Sequence, residues 1–147
     1  MVQGGFMMKW KVIAAFGVVF GIAGIGWGVS AQRSSDQVFE LRMYEAMPGK
    51  RDALSERFHE HTMAMFEKAG MTNVGYWTAS PGDASDDLFI YMLSYASREA
   101  RDETWTRLGE DPDFQREIIA EERSEEFKLV STIDARILVP TSYSPLK

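Results

Sequence analysis

A chain of 147 residues with 45% hydrophobic and 26% charged side chains is proportioned for one globular domain. Its formal charge of −6, with no basic stripe to offset 22 acids, argues against nucleic acid as a partner. The absence of cysteine excludes disulfides, thiolate catalysis, Cys-ligated zinc and covalent c-type haem.

Residues 8–31 combine a positive start at Lys9 and Lys11, an apolar run from Val12 to Trp27, and small residues at Val29 and Ala31. That tripartite order predicts a signal peptide over residues 1–31, cleaved after Ala31, and hence a periplasmic or secreted domain. The alternative is an uncleaved leader, because the run approaches the ~20 residues that span a bilayer and would anchor the domain by its N-terminus. Glycines at 17, 21, 24, 26 and 28 dilute the run and favour cleavage. Taking the leader's two lysines from 16 basic residues leaves 14 against 22 acids, so the mature part carries −8. Residues 32–37 read as a polar tether, and residues 38–147 as the folded domain.

Val38 to Ala46 alternates and is rich in strand formers, with Phe39, Leu41 and Met43 on one face and Glu40, Arg42 and Tyr44 on the other. Pro48-Gly49 turns the chain into a helix from about Lys50 to Ala69, capped by Gly70. Leu54, Phe58, His61 and Met65 fall on one helical stripe, widened by Thr62, Phe66 and Ala69. Met71 to Ser80 reads as a second strand, Ser80-Pro81-Gly82-Asp83 as a turn, and Leu88 to Tyr95 as a third strand completing a hairpin. Ser97 caps a helix expected to run to about Leu108 and to stop at Gly109. Asp111-Pro112 starts another, with Asp as cap and Pro in the first turn, and with an apolar face of Phe114, Ile118 and Ile119. The Glu121–Glu126 stretch reads as a solvated face. Phe127 to Val139 is the last strand, and an irregular tail follows Pro140.

The order β-α-β-β-α-α-β is α+β and of the ferredoxin-like split βαβ kind. Right-handed crossovers place the helices on one face of a four-stranded antiparallel sheet. Strands apolar on both faces are poorly suited to leaving the other face wet, so a homodimer that covers it is expected.

Four segments in order resemble the NIPSNAP family of the dimeric α/β-barrel superfamily. They are Phe39-Glu40-Leu41-Arg42-Met43-Tyr44 with Pro48-Gly49-Lys50, then Val74-Gly75-Tyr76-Trp77, then Trp105 with Asp111-Pro112-Asp113-Phe114, and finally Ile137 to Leu146. The resemblance spans residue 38 to the end. It implies a ferredoxin-like subunit that dimerises through its sheet, in a superfamily that includes cofactor-independent monooxygenases, small-ring isomerases and haem-handling enzymes, with ligands between sheet and helices. Two departures stand out: the family often has Trp where Phe114 stands and Arg where Val139 stands, which removes the basis for an anion contact at that second position.

His61, in the middle of the helical stripe, is expected to point between helix and sheet, where it would serve as general acid or base, or as a haem ligand. Arg42 and Tyr44 suit a polar pocket wall in which Arg42 holds a carboxylate or enolate; the other reading of the Glu40, Arg42, Tyr44 row is an ion pair across a dimer. Trp77, Tyr91, Phe58 and Met65 are candidate ligand-lining residues, and equally ordinary packing. His59 and His61 lie about 200° apart on a helix and cannot share an ion, so neither a metal site nor a cofactor is expected. Three readings of function stay open: an exported homodimer that binds a small apolar or aromatic molecule, with cofactor-free oxygenation or isomerisation assisted by His61; a non-catalytic binding or protein-interaction module; and haem binding through His61.

Overall fold

The computed structural model describes residues 36–82 and 86–146; the expected leader and most of the tether lie outside the described residues. Strand β1 (Val38–Ala46) leads into α1 (Arg51–Arg57), a π-helical segment (Phe58–Thr62) and α2 (Met63–Ala69), which together form one continuous helical rod. β2 (Thr72–Thr78) and β3 (Leu88–Tyr95) follow as the expected hairpin. Then come α3 (Arg98–Glu110), α4 (Pro112–Phe114), a second π segment (Gln115–Ile119), α5 (Ala120–Glu122) and β4 (Val130–Leu138). The sheet is antiparallel with order β2-β3-β1-β4, the ferredoxin-like arrangement, so β1 is central and β4 lies at an edge.

Local chemistry accounts for most element ends. Gly70 closes α2 at φ +94°, a conformation that L side chains avoid, and Arg107 of α3 donates to the Ala69 carbonyl beside it. The Ser97 hydroxyl accepts from the Ala100 amide, and Asp111 accepts from the Asp113 and Phe114 amides at 2.8 and 3.2 Å with Pro112 behind it. Gly109 does not stop α3, which continues to Glu110: a glycine weakens a helix interior by only about 1 kcal/mol, and the cap two residues later sets the end. β4 begins at Val130, later than Phe127, whose side chain is exposed.

Pleating sends Glu40, Arg42 and Tyr44 toward the helices, together with their partners Leu93, Tyr91 and Phe89 on β3. The core is aromatic: Phe58 lies 4.9 Å from both Phe89 and Tyr91, and Tyr76 stacks on Tyr91 at 5.6 Å. Leu41, Met43, Ile90 and Met92 line up on the opposite face, half-buried, and Trp77 joins them at 49% exposure. The Trp77 ring lies over Gly75, where an added Cβ would come within 2.6 Å of it. The tail from Leu138 to Leu146 borders a groove on this face with Phe39 and Met92.

Gly70→Ala should cost about 1 kcal/mol or more, because the cap must either strain or open and its Cβ meets Arg107 at 3.1 Å. Urea unfolding followed by circular dichroism reads this directly, and an unchanged midpoint would contradict the cap's assigned role.

Candidate functional site

A carboxylate on a central strand, fully removed from solvent, must be met by donors or it will neutralise. Glu40 is 0% exposed and accepts five hydrogen bonds. Arg42 Nη1 donates from the same strand at 2.7 Å. Arg101 donates through Nε and Nη2 at 3.0 and 2.9 Å, a two-pronged grip, and Trp105 Nε1 reaches in at 2.8 Å. The Tyr95 hydroxyl completes the set at 3.0 Å. Arg101 and Trp105 are i and i+4 on α3, so one face of that helix presents both to the strand. Burial pushes the Glu40 carboxyl up, but the bonds from Arg101, Trp105 and Arg42 outweigh it and hold the group at about 2, against an ordinary 4.5. Burial, with the Glu40 charge adding to it, pushes the Tyr95 phenol up, so it stays a donor.

Arg42 is fixed by this arrangement. Its guanidinium lies 4.5 Å over the Trp105 ring, and Nη2 donates to the Tyr44 hydroxyl at 3.2 Å. Burial works against its charge, yet Tyr91, Tyr44 and Glu40 together raise its pKa above the ordinary value. Tyr91, held protonated by burial, donates to the same Tyr44 oxygen at 2.9 Å. The Arg42 Nε is buried with no partner among the described residues.

Arg42 and Tyr44 stand in the wall of a cleft of about 620 Å³ between the sheet and the helices. Phe58, Phe66, Trp105, Phe114, Ile118 and Ile133 supply its apolar surface. Ile133 pairs with Tyr44 across β1 and β4, and its side chain is half-exposed because no helix among the described residues covers the edge strand there. Both π segments border the cleft, through Phe58 and Thr62 on one side and Ile118 and Ile119 on the other. Volume, apolar lining and a few convergent polar groups are the usual features of a small-molecule site. Arg57 also lines it, bonded through Nη1 to Glu121 and Glu122 at 2.8 and 2.6 Å, and Glu122 in turn accepts from the Val130 amide.

Among the expected site residues, Arg42, Tyr44 and Phe58 therefore meet at the cleft. Tyr91 sits behind Tyr44, fully buried. Met65 packs, half-buried, against the core outside the cleft lining. Trp77 is on the opposite face of the sheet, because the extra residue Val74 between Asn73 and Gly75 sets its register with Ile90.

His61 does not point inward. Its side chain is 51% exposed, in an outer groove 3.9 Å from Glu60 and from Glu117. The reason lies in the backbone: the Met63 amide bonds to the Phe58 carbonyl, five residues back, and this wider turn rotates Thr62 and Phe66 into the core in place of His61 and Met65. Sequence reading missed the roles of Arg101, Tyr95 and Trp105. The Arg101/Trp105 spacing on α3, facing an acid on an otherwise apolar strand, was the available signal.

The NIPSNAP family model matches residues 39–145. A NIPSNAP family protein of Agrobacterium tumefaciens is similar in structure, with a TM-score of 0.65 and 28% identity over 76% of this chain and 92% of that one. A second from the same organism, described as of unknown function, has a TM-score of 0.66 at 20% identity over 77% and 96%. An uncharacterised NIPSNAP-like domain protein of Burkholderia xenovorans has a TM-score of 0.62 at 20% identity over 76% and 90%. No curated protein matches the sequence.

The low carboxyl pKa of Glu40 links folding to pH. A carboxylate depressed in the folded state contributes stability that is complete above its unfolded value near 4.5 and drains away as pH falls toward 2. The contribution is on the order of 3 kcal/mol. Glu40→Gln should lower stability at pH 7 and flatten its decline between pH 4.5 and 2, as read from urea midpoints across that range; a variant with the wild-type slope would contradict the assignment.

Proposed function

The chain belongs to the NIPSNAP family, and from that premise we propose that it is an exported homodimer that binds a small apolar or aromatic molecule in the cleft beside Arg42 and Tyr44. The observation that carries this reading is the cleft itself: about 620 Å³, walled by rings and aliphatic side chains, with a fixed guanidinium and a hydroxyl in its wall. Binding is favoured over turnover. Glu40 has its lone pairs committed to five donors, and Glu122, the one carboxylate among the described cleft residues, is tied to Arg57 and to a backbone amide. His61 faces the outer groove, so neither acid–base chemistry nor haem ligation in the cleft is part of the proposal.

Export is supported by the leader pattern of residues 8–31. Dimerisation is supported by the outer sheet face, where Leu41, Met43, Ile90, Met92 and Trp77 form one apolar surface of a kind that monomers seldom leave wet.

N-phenyl-1-naphthylamine, a neutral probe that fluoresces in apolar surroundings, should bind saturably at one site per subunit. Ile118→Trp, which fills the cleft, should weaken it at least tenfold; a probe signal that never saturates, or that ignores the substitution, removes the ligand claim. Sedimentation at micromolar concentration should give a dimer. Expression in a bacterium with a periplasm should yield a mature protein that begins at Gln32.

A further inference from the structure

We propose that the cleft selects anions: its ligand is an aromatic or similarly apolar molecule that carries a carboxylate, with the charge seated against Arg42 and Tyr44. This rests on the reading of the cleft as a ligand site and adds the chemical class that the site admits.

Charge balance is the first argument. One carboxylate, Glu40, serves two guanidinium groups, Arg42 and Arg101, which leaves the cluster one positive charge in excess. Asp102 also touches Arg101, at 2.9 Å, but it is 65% exposed and water screens it. Arg42 has only 12% of its side chain exposed, so its share of the excess charge is felt inside the cleft rather than in bulk solvent.

Direction is the second argument. Nη1 of Arg42 is assigned to Glu40 and Nη2 to Tyr44, while Nε is buried without a partner among the described residues. The Tyr44 oxygen accepts from both Arg42 and Tyr91. Its own proton is then left over, and a hydroxyl that accepts from a guanidinium is a better donor for it. Arg42 carries five N–H and spends two of them in these bonds, and with the Tyr44 O–H, on a residue of the same cleft wall, that leaves donors for the two oxygens of a carboxylate.

The third argument is what surrounds them. Phe58, Phe66, Trp105 and Phe114 keep the wall apolar, which strengthens attraction for an anion and offers a neutral oxygen little in return. Elsewhere in the lining Arg57 serves two carboxylates, Glu122 and Glu121, and Lys128 offsets the negative charge left over, so among the described residues the excess around Arg42 is not cancelled. A ligand that lacks the charge leaves two buried donors unmet, which is the situation in which binding sites discriminate most sharply.

A matched pair of probes tests this on the purified chain: 2-naphthoate and 2-naphthalenemethanol, titrated calorimetrically at pH 7. Naphthoate should bind at least tenfold more tightly. Arg42→Met should bring the ratio close to one. It leaves Glu40 with Arg101, Trp105 and Tyr95, and near-ultraviolet circular dichroism reads whether it keeps the wild-type fold. Tyr44→Phe, which removes only the oxygen, should lower the ratio severalfold. If both probes bind equally to wild type, the anion inference fails and the cleft remains a site for neutral apolar molecules. If neither binds, the inference falls together with the ligand reading on which it rests.

Discussion

A buried carboxylate organises this domain. Glu40 sits on the central strand with no access to water, and its charge is tolerated only because donors converge on it from three elements: Arg42 on β1 itself, Tyr95 at the end of β3, and Arg101 with Trp105 on α3. Those bonds fasten α3 across the sheet over a sequence separation of some sixty residues. Removing any one partner leaves the rest imperfectly matched in a region of low dielectric, so the members of the cluster hold one another in place.

Stability alone is a weak explanation for such a device. Buried ion clusters can often be replaced by well-packed apolar residues at little cost, and sometimes with gain. What an apolar substitute could not do is aim a guanidinium. Glu40 takes one prong of Arg42 and Trp105 supports its flat face, so the guanidinium is held in place in the cleft wall before any ligand arrives. A side chain fixed in this way loses little entropy on binding, which is the usual origin of selectivity in a small site. The same geometry explains why Glu40 is no candidate base despite its position: its acceptor capacity is already consumed.

The sequence made the fold readable because each local signal agreed with the global one. Alternation in β1 and β3, the Ser97 and Asp111 caps, and the glycine at position 70 all sit where the elements begin or end. The polar row Glu40, Arg42, Tyr44 was legible as a unit, though not which face of the sheet it occupied, since alternation alone would turn the apolar row Phe39, Leu41, Met43 toward the helices. That Trp105 lines the cleft and bonds Glu40, and that Arg101 joins it, needs the crossover geometry that brings α3 over β1. Trp77 faces the other way because a single extra residue in β2 reverses which side later residues face, and Gly75 is the one local mark of that bulge.

His61 was misplaced for a reason that also explains the cleft. In a regular α-helix it lies about 20° from Leu54, squarely on the buried stripe. The buried stripe instead runs through Leu54, Phe58, Thr62 and Phe66, four apart each time, with Arg57 and Ala69 buried beside it. At about 100° per residue, that spacing would drift some 40° per step and wind off the sheet. One π turn takes up the difference. The second leg does the same where the Ala120 amide bonds to the Gln115 carbonyl, five residues back, and both wide turns border the cleft. A π turn replaces i→i+4 bonds with poorer ones, and this rod adopts it just where Phe58 must reach Tyr91 and Thr62 must face the opening. The helical irregularity and the cavity are thus linked: both wide turns stand in the cleft's walls, and straightening the first leg would turn His61 inward in place of Thr62, setting a polar ring in the apolar chamber that the Arg42 guanidinium faces.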